Sequence, residues 1–81
     1  MSKAFLGKFQ LDVTVVGGQG PGAVHVHGHW AIYDLTISAT DPIEQGQCPN
    51  ERESLDDAIN DATRFGEARM SDLHEADSAV Q

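Results

Sequence analysis

Eighty-one residues carrying a formal net charge of −8 make one domain, residues 1–81, near the size at which a single core is barely sufficient. Only 18 of them are Leu, Ile, Val or Phe, just above the ~20% below which charged chains tend to stay disordered, so further burial in a homodimer or against a partner is expected. No apolar run approaches the ~18 residues of a membrane span, which argues against membrane association, and the single Cys48 excludes an intrachain disulfide; a soluble protein of a bacterial cytoplasm is expected. The charge is uneven. Residues 1–40 balance Lys3 and Lys8 against Asp12 and Asp34, whereas residues 41–81 set eleven acids against Arg52, Arg64 and Arg69 and so carry the whole negative charge. Phosphate binding needs Lys and Arg, so direct contact with nucleic acid is excluded as an expectation, and a basic protein partner suits this surface instead.

In chain order, residues 4–16 (AFLGKFQLDVTVV) alternate with period two. Phe5, Phe9, Leu11, Val13 and Val15 fall on one side and Lys8, Gln10, Asp12 and Thr14 on the other, the pattern of a half-buried antiparallel strand. The glycine-rich segment 17–23 ends that strand and predicts a hairpin loop. It does not read as a phosphate loop, because no Gly-Lys-Ser/Thr follows and the next element is a strand rather than a helix.

The second predicted strand, residues 24–39, has a switch of buried face. Val24 and Val26 are apolar on one parity, Tyr33, Leu35 and Ile37 on the other. A regular strand keeps one buried face, so a bulge at Gly28 is expected, which turns Trp30 and Ile32 outward as anchors for a partner. His25, His27 and His29 alternate within this strand. Side chains two residues apart lie on one face, and His25 with His27 can share a metal ion of the zinc class if a neighbouring strand supplies further ligands; Asp12, Asp34 and His74 are the candidates. The plainer reading is a solvated histidine row with no cofactor.

Residues 40–53 read as a connector, and Cys48 within it as an unremarkable loop thiol. From Ser54 the pattern turns helical, to about residue 76. Leu55, Ala58, Ile59, Ala62, Phe65, Met70, Leu73 and Ala76 form the apolar stripe, with a capping box at Asn50–Glu53 or Ser54–Asp57. Gly66 and Arg69 lie in that stripe and are assigned to close packing or ion pairing across a dimer. Asp56, Asp57, Asp61, Glu67, Asp72 and Glu75 lie on the polar face and are assigned to partner binding. Asp77 would fall on the buried side, so residues 77–81 are expected to be a flexible tail. Residues 53–68 (ESLDDAINDATRFGEA) resemble the helix that follows the sheet in HicB-type antitoxins, and no residue role is carried over from that resemblance.

The sequence therefore predicts an α+β fold: an antiparallel hairpin packed by one amphipathic helix, a ββα unit dimerised into a larger sheet. No Ser-His-Asp set, activated cysteine or complete metal triad is legible, and a non-enzymatic role is expected. The leading expectation is an acidic protein-binding inhibitor of the kind phages and mobile elements encode, such as an anti-CRISPR protein, mimicking nucleic acid to mask a basic groove. A histidine-based metal-binding or metal-sensing protein, and an antitoxin-type or assembly subunit acting through dimerisation, are the alternatives.

Overall fold

The computed structural model describes residues 2–17 and 25–79; apart from Gly17, the predicted hairpin loop 17–23 lies outside them. The chain is a small α+β fold. Strands β1 (Ser2–Leu6), β2 (Phe9–Gly17), β3 (Val26–Asp34) and β4 (Glu44–Gln47) form one antiparallel sheet in sequential order, and helix α1 (Leu55–Ala79) packs on one face of it. The predicted class holds, but the sheet has four strands where the sequence predicts two. Four strands within one chain also remove the need for a second copy to complete the sheet.

The predicted first strand is a hairpin. Leu6 pairs with Phe9 across Gly7 and Lys8, and Gly7 has φ of 58°. A left-handed glycine at the first central position of a two-residue turn is the type II′ pattern, whose twist matches that of the flanking strands. The reversal moves Phe5 off the apolar face. It pairs with Gln10 and stands 65% exposed, while Ala4 and Leu6 of β1 turn toward the core instead.

The predicted bulge at Gly28 is absent. Phe9 through Gly17 pair without interruption with Asp34 back to Val26. The face switch is resolved by where the strand ends: β3 stops at Asp34, and Leu35 and Ile37 belong to an exposed turn. The helix-facing parity is thus Val26, Gly28, Trp30, Ile32 and Asp34, opposite His27, His29, Ala31 and Tyr33. Gly28 is needed for close approach, since a Cβ there would lie 2.2 Å from the Ala58 carbonyl oxygen and 2.8 Å from the Ala62 Cβ. Helix and sheet touch through glycine and alanine.

The predicted connector contains β4, whose sequence EQGQ has no β-branched or apolar residue. Its register against His29–Ile32 is held by the ladder, and Gly46 lies beneath the Trp30 ring, where a Cβ would come 2.9 Å from Cζ2. Short polar edge strands resist pairing with foreign chains, which accounts for a composition that hides the strand from pattern reading. The next residue, Cys48, is not a loop thiol but part of the core, 2% exposed, and burial pushes its pKa up.

Helix α1 begins directly after Ser54, whose carbonyl accepts the Ala58 N–H at 3.2 Å, in agreement with the Ser54 start. It runs to Ala79 rather than 76. Asp77 is half-buried, and Lys8 Nζ donates to its Oδ1 at 2.9 Å, so the charge expected to end the helix is neutralised from the β1–β2 turn. Residues 77–79 of the predicted tail belong to the helix, and residues 80–81 lie outside the described residues. The core consists of Phe9, Leu11, Val13, Ile32, Cys48, Ala62 and Met70, flanked by Ala4, Leu6, Trp30, Ile59 and Leu73. No helix of the described residues is long and apolar enough to cross a membrane.

Candidate binding surface

The amphipathic period of α1 divides the expected site residues into two groups. Asp56, Asp57, Glu67, Asp72 and Glu75 are exposed along the face turned away from the sheet. Asp61 is not with them; it is 5% exposed and forms the centre of an ion cluster. The Arg52 guanidinium grips it through Nε to Oδ2 at 2.6 Å and through a second nitrogen to Oδ1 at 3.0 Å, and Arg64 reaches Oδ1 at 3.0 Å. Those guanidiniums hold the Asp61 carboxyl below the usual carboxylate range, Arg52 contributing most. Its role is structural. From its buried position it ties Arg52, the residue that bridges to Val26, onto the helix.

The other cations are committed in the same way. Arg69 makes a bidentate pair with Glu44 of β4, both contacts at 2.7 Å, so its partner lies in its own chain rather than across a dimer. Gly66, the other residue assigned to a dimer, is buried against Leu11, whose Cδ1 would stand 2.4 Å from an added Cβ. Lys8 is shared between Asp77 and the buried Asp34, which also accepts from the Thr36 amide and hydroxyl. Of the five Lys and Arg in the chain, four thus form ion pairs with carboxylates among the described residues. The five exposed helix acids appear in none of these pairs.

Helix chemistry explains part of that acidic row. Asp56 and Asp57 occupy the first turn, where the positive end of the helix dipole favours them. Glu75 lies one residue before the last turn, 76–79, in which no basic residue occurs. Among the described residues Glu67 and Glu75 make no ion pair, while Asp72 lies near enough to Arg69 to help raise its pKa.

The two residues expected to project as anchors do not. Ile32 is fully buried beneath the helix, and Trp30 packs against the core over Gly46. The exposed apolar side chains are instead Phe5, Leu35, Ile37, Ile43, Leu55 and Phe65. A hollow of about 370 Å³ lies beside the Asp61 cluster, lined by Arg52, Asp57, Asn60, Asp61, Thr63 and Arg64. Its two guanidiniums are turned onto Asp61, which leaves it poorly suited to an anionic ligand.

His25 and His27 stand at the start of β3 on the open face of the sheet, opposite the helix. His27 Nδ1 donates to the Cys48 carbonyl at 3.0 Å. Glu51 approaches both rings, Oε2 lying 3.3 Å from His25 Nδ1 and Oε1 lying 4.0 Å from His27 Nε2. Sequence reading misses Glu51, because it reaches β3 only through the isolated bridge between Val26 and Arg52. The ligand candidates that the sequence does suggest are elsewhere: Asp34 faces the helix, Asp12 accepts from Gln10, and His74 lies beside Gly7. Among the described residues no three His, Cys, Asp or Glu side chains already converge as a metal site would.

Comparison with protein-family models, with curated proteins and with solved structures found no match to this chain.

Proposed function

We propose that this protein is a non-enzymatic binding module whose acidic helix face seats on a basic surface of a partner protein, in the manner of phage or mobile-element inhibitors that occupy a nucleic-acid groove. The observation that carries the reading is the contrast between the two sets of charges. Four of the five Lys and Arg side chains pair with Asp34, Asp61, Asp77 and Glu44, while Glu67, Asp72 and Glu75 face solvent outside those ion pairs. A row of exposed charge left outside the ion pairs of the fold is available to a partner. Asp56 and Asp57 extend the row to the start of the helix, so that it runs for roughly 28 Å at 1.5 Å per residue. A basic groove built for phosphates would meet this rod with complementary potential and fast, salt-sensitive association.

The test is capture of proteins from a bacterial lysate by the immobilised chain at low and high salt, beside a variant with Asp56→Asn, Asp57→Asn, Glu67→Gln, Asp72→Asn and Glu75→Gln. A nucleic-acid-binding protein retained at low salt, displaced by added nucleic acid and lost with the variant is the expected result. Capture that the five substitutions leave unchanged would overturn the proposal, as would no specific capture by the parent chain.

A further inference from the structure

We infer that His25, His27 and Glu51 form a surface site for a divalent ion of the zinc class, with water completing its coordination. The site uses none of the exposed helix acids and lies where the segment after β4 returns to the start of β3. Reciprocal hydrogen bonds of 2.8 Å between Val26 and Arg52 set that corner. Antiparallel register about this bridge places Glu51 across from His27, and His25, the residue before β3, approaches the same carboxylate.

Three features favour an ion over a simple ion pair. A charge-assisted N–H···O bond closes to about 2.7–2.9 Å, whereas His25 Nδ1 and Glu51 Oε2 stand 3.3 Å apart. Ligand atoms on a tetrahedral zinc, each about 2.0–2.1 Å from the metal, are separated by about 3.4 Å. The carboxylate also presents one oxygen to each ring, and the wider gap, 4.0 Å to His27 Nε2, narrows by rotation of the exposed Glu51 side chain. Finally, a carbonyl can only accept, so the contact to Cys48 places a proton on His27 Nδ1 and leaves Nε2, 4.0 Å from Glu51 Oε1, as the ring nitrogen available to a metal. An imidazole held through its other nitrogen by a backbone carbonyl is the usual supporting arrangement of a metal-binding histidine. Two imidazoles and one carboxylate suit zinc and its first-row neighbours. His29, paired across the sheet with Thr14 and Gln47, has no carboxylate opposite it. A bound ion would tie the segment after β4 to β3, which gives it a structural effect as well as an open coordination position.

The experiment titrates tag-free, chelator-treated protein with Zn²⁺ by calorimetry and with Co²⁺ by visible absorption, alongside Glu51→Gln, His25→Ala and His29→Ala. All three substituted side chains lie outside the core, and circular dichroism checks that each variant is folded. The expected result is one ion per chain, affinity at least tenfold weaker in Glu51→Gln and in His25→Ala, and no change in His29→Ala. Nitrogen-15 spectra of the histidines should show the metal on His27 Nε2 with the Nδ1 proton retained. No saturable binding, binding indifferent to Glu51→Gln, or an equal loss in His29→Ala each overturns the assignment.

Discussion

Gly28 and Gly66 make similar contacts from opposite sides of the helix–sheet interface, yet an added methyl group should cost different amounts at the two. At Gly28 it would meet the Ala58 carbonyl oxygen, part of the helix backbone, which cannot rotate away. At Gly66 it meets the methyl carbons of Leu11, a side chain with alternative rotamers, and alanine returns about 1 kcal/mol of helix propensity. Overpacking of a close-packed core costs about 1–3 kcal/mol. Gly28→Ala should therefore fall at or above the top of that range, and Gly66→Ala near or below its bottom; the midpoints of urea unfolding will rank them. The carboxylates make a second prediction. Asp34, Asp61 and Glu44 are held below their ordinary pKa values, by the Thr36 hydroxyl, by Arg52 and by Arg69 respectively. A depressed carboxylate contributes stability that is complete above its unfolded pKa, near 4, and lost as pH falls through the lower folded value. Melting temperature should hold steady from neutrality to about pH 5 and drop below about pH 4. Asp61→Asn should lower it at pH 7 and flatten the acid limb, as circular dichroism melts across pH would show.

Among the elements, legibility in the sequence follows apolar patterning. Helix α1 and strand β2 are plain because their stripes are long, and Ser54 marks the start of α1. The β1–β2 turn is hidden because a two-residue reversal hardly disturbs a period-two pattern; only Gly7 between Leu6 and Lys8 marks it. Strand β4 is invisible, since its glutamines and Glu44 satisfy no hydrophobic rule and its place is set by pairing with β3 and by the Trp30 ring over Gly46. The face switch in β3 arises from counting Leu35 and Ile37 as strand residues, and that error carries Trp30 and Ile32 to the wrong side. Of the candidate site, the exposed acids and the two histidines are readable one by one. Glu51 is not, because only tertiary pairing brings it to them. The Glu44–Arg69 pair is the side-chain tie between β4 and α1. Arg69→Met should accordingly raise amide exchange at the inner-facing N–H groups of β4 while leaving the β2–β3 ladder protected, a contrast hydrogen-exchange mass spectrometry can resolve.

For the molecule as a whole, the partition of charge predicts an unusual response to salt. Pairs such as Asp61 with Arg52, where one partner is buried, are weakly screened, because the field between them passes largely through protein. The exposed helix acids repel one another through solvent, at separations comparable with the Debye length of about 10 Å at 0.1 M salt. Added salt should thus relieve repulsion faster than it weakens the internal pairs, and thermal stability should rise between low and physiological ionic strength. The variant that neutralises Asp56, Asp57, Glu67, Asp72 and Glu75 sharpens the test. It removes the repulsion, at the modest loss of two favourable dipole interactions near the start of the helix, about 0.3–1 kcal/mol each, and of the attraction of Asp57 for Arg52 and of Asp72 for Arg69. Its melting temperature should depend on salt much less than that of the parent, and at low salt should equal or exceed it. If instead the parent chain loses stability as salt is added, the internal ion pairs dominate the electrostatics. The exposed acids would then no longer be charge held at the expense of the fold, and the main support for assigning them to a basic partner would be gone.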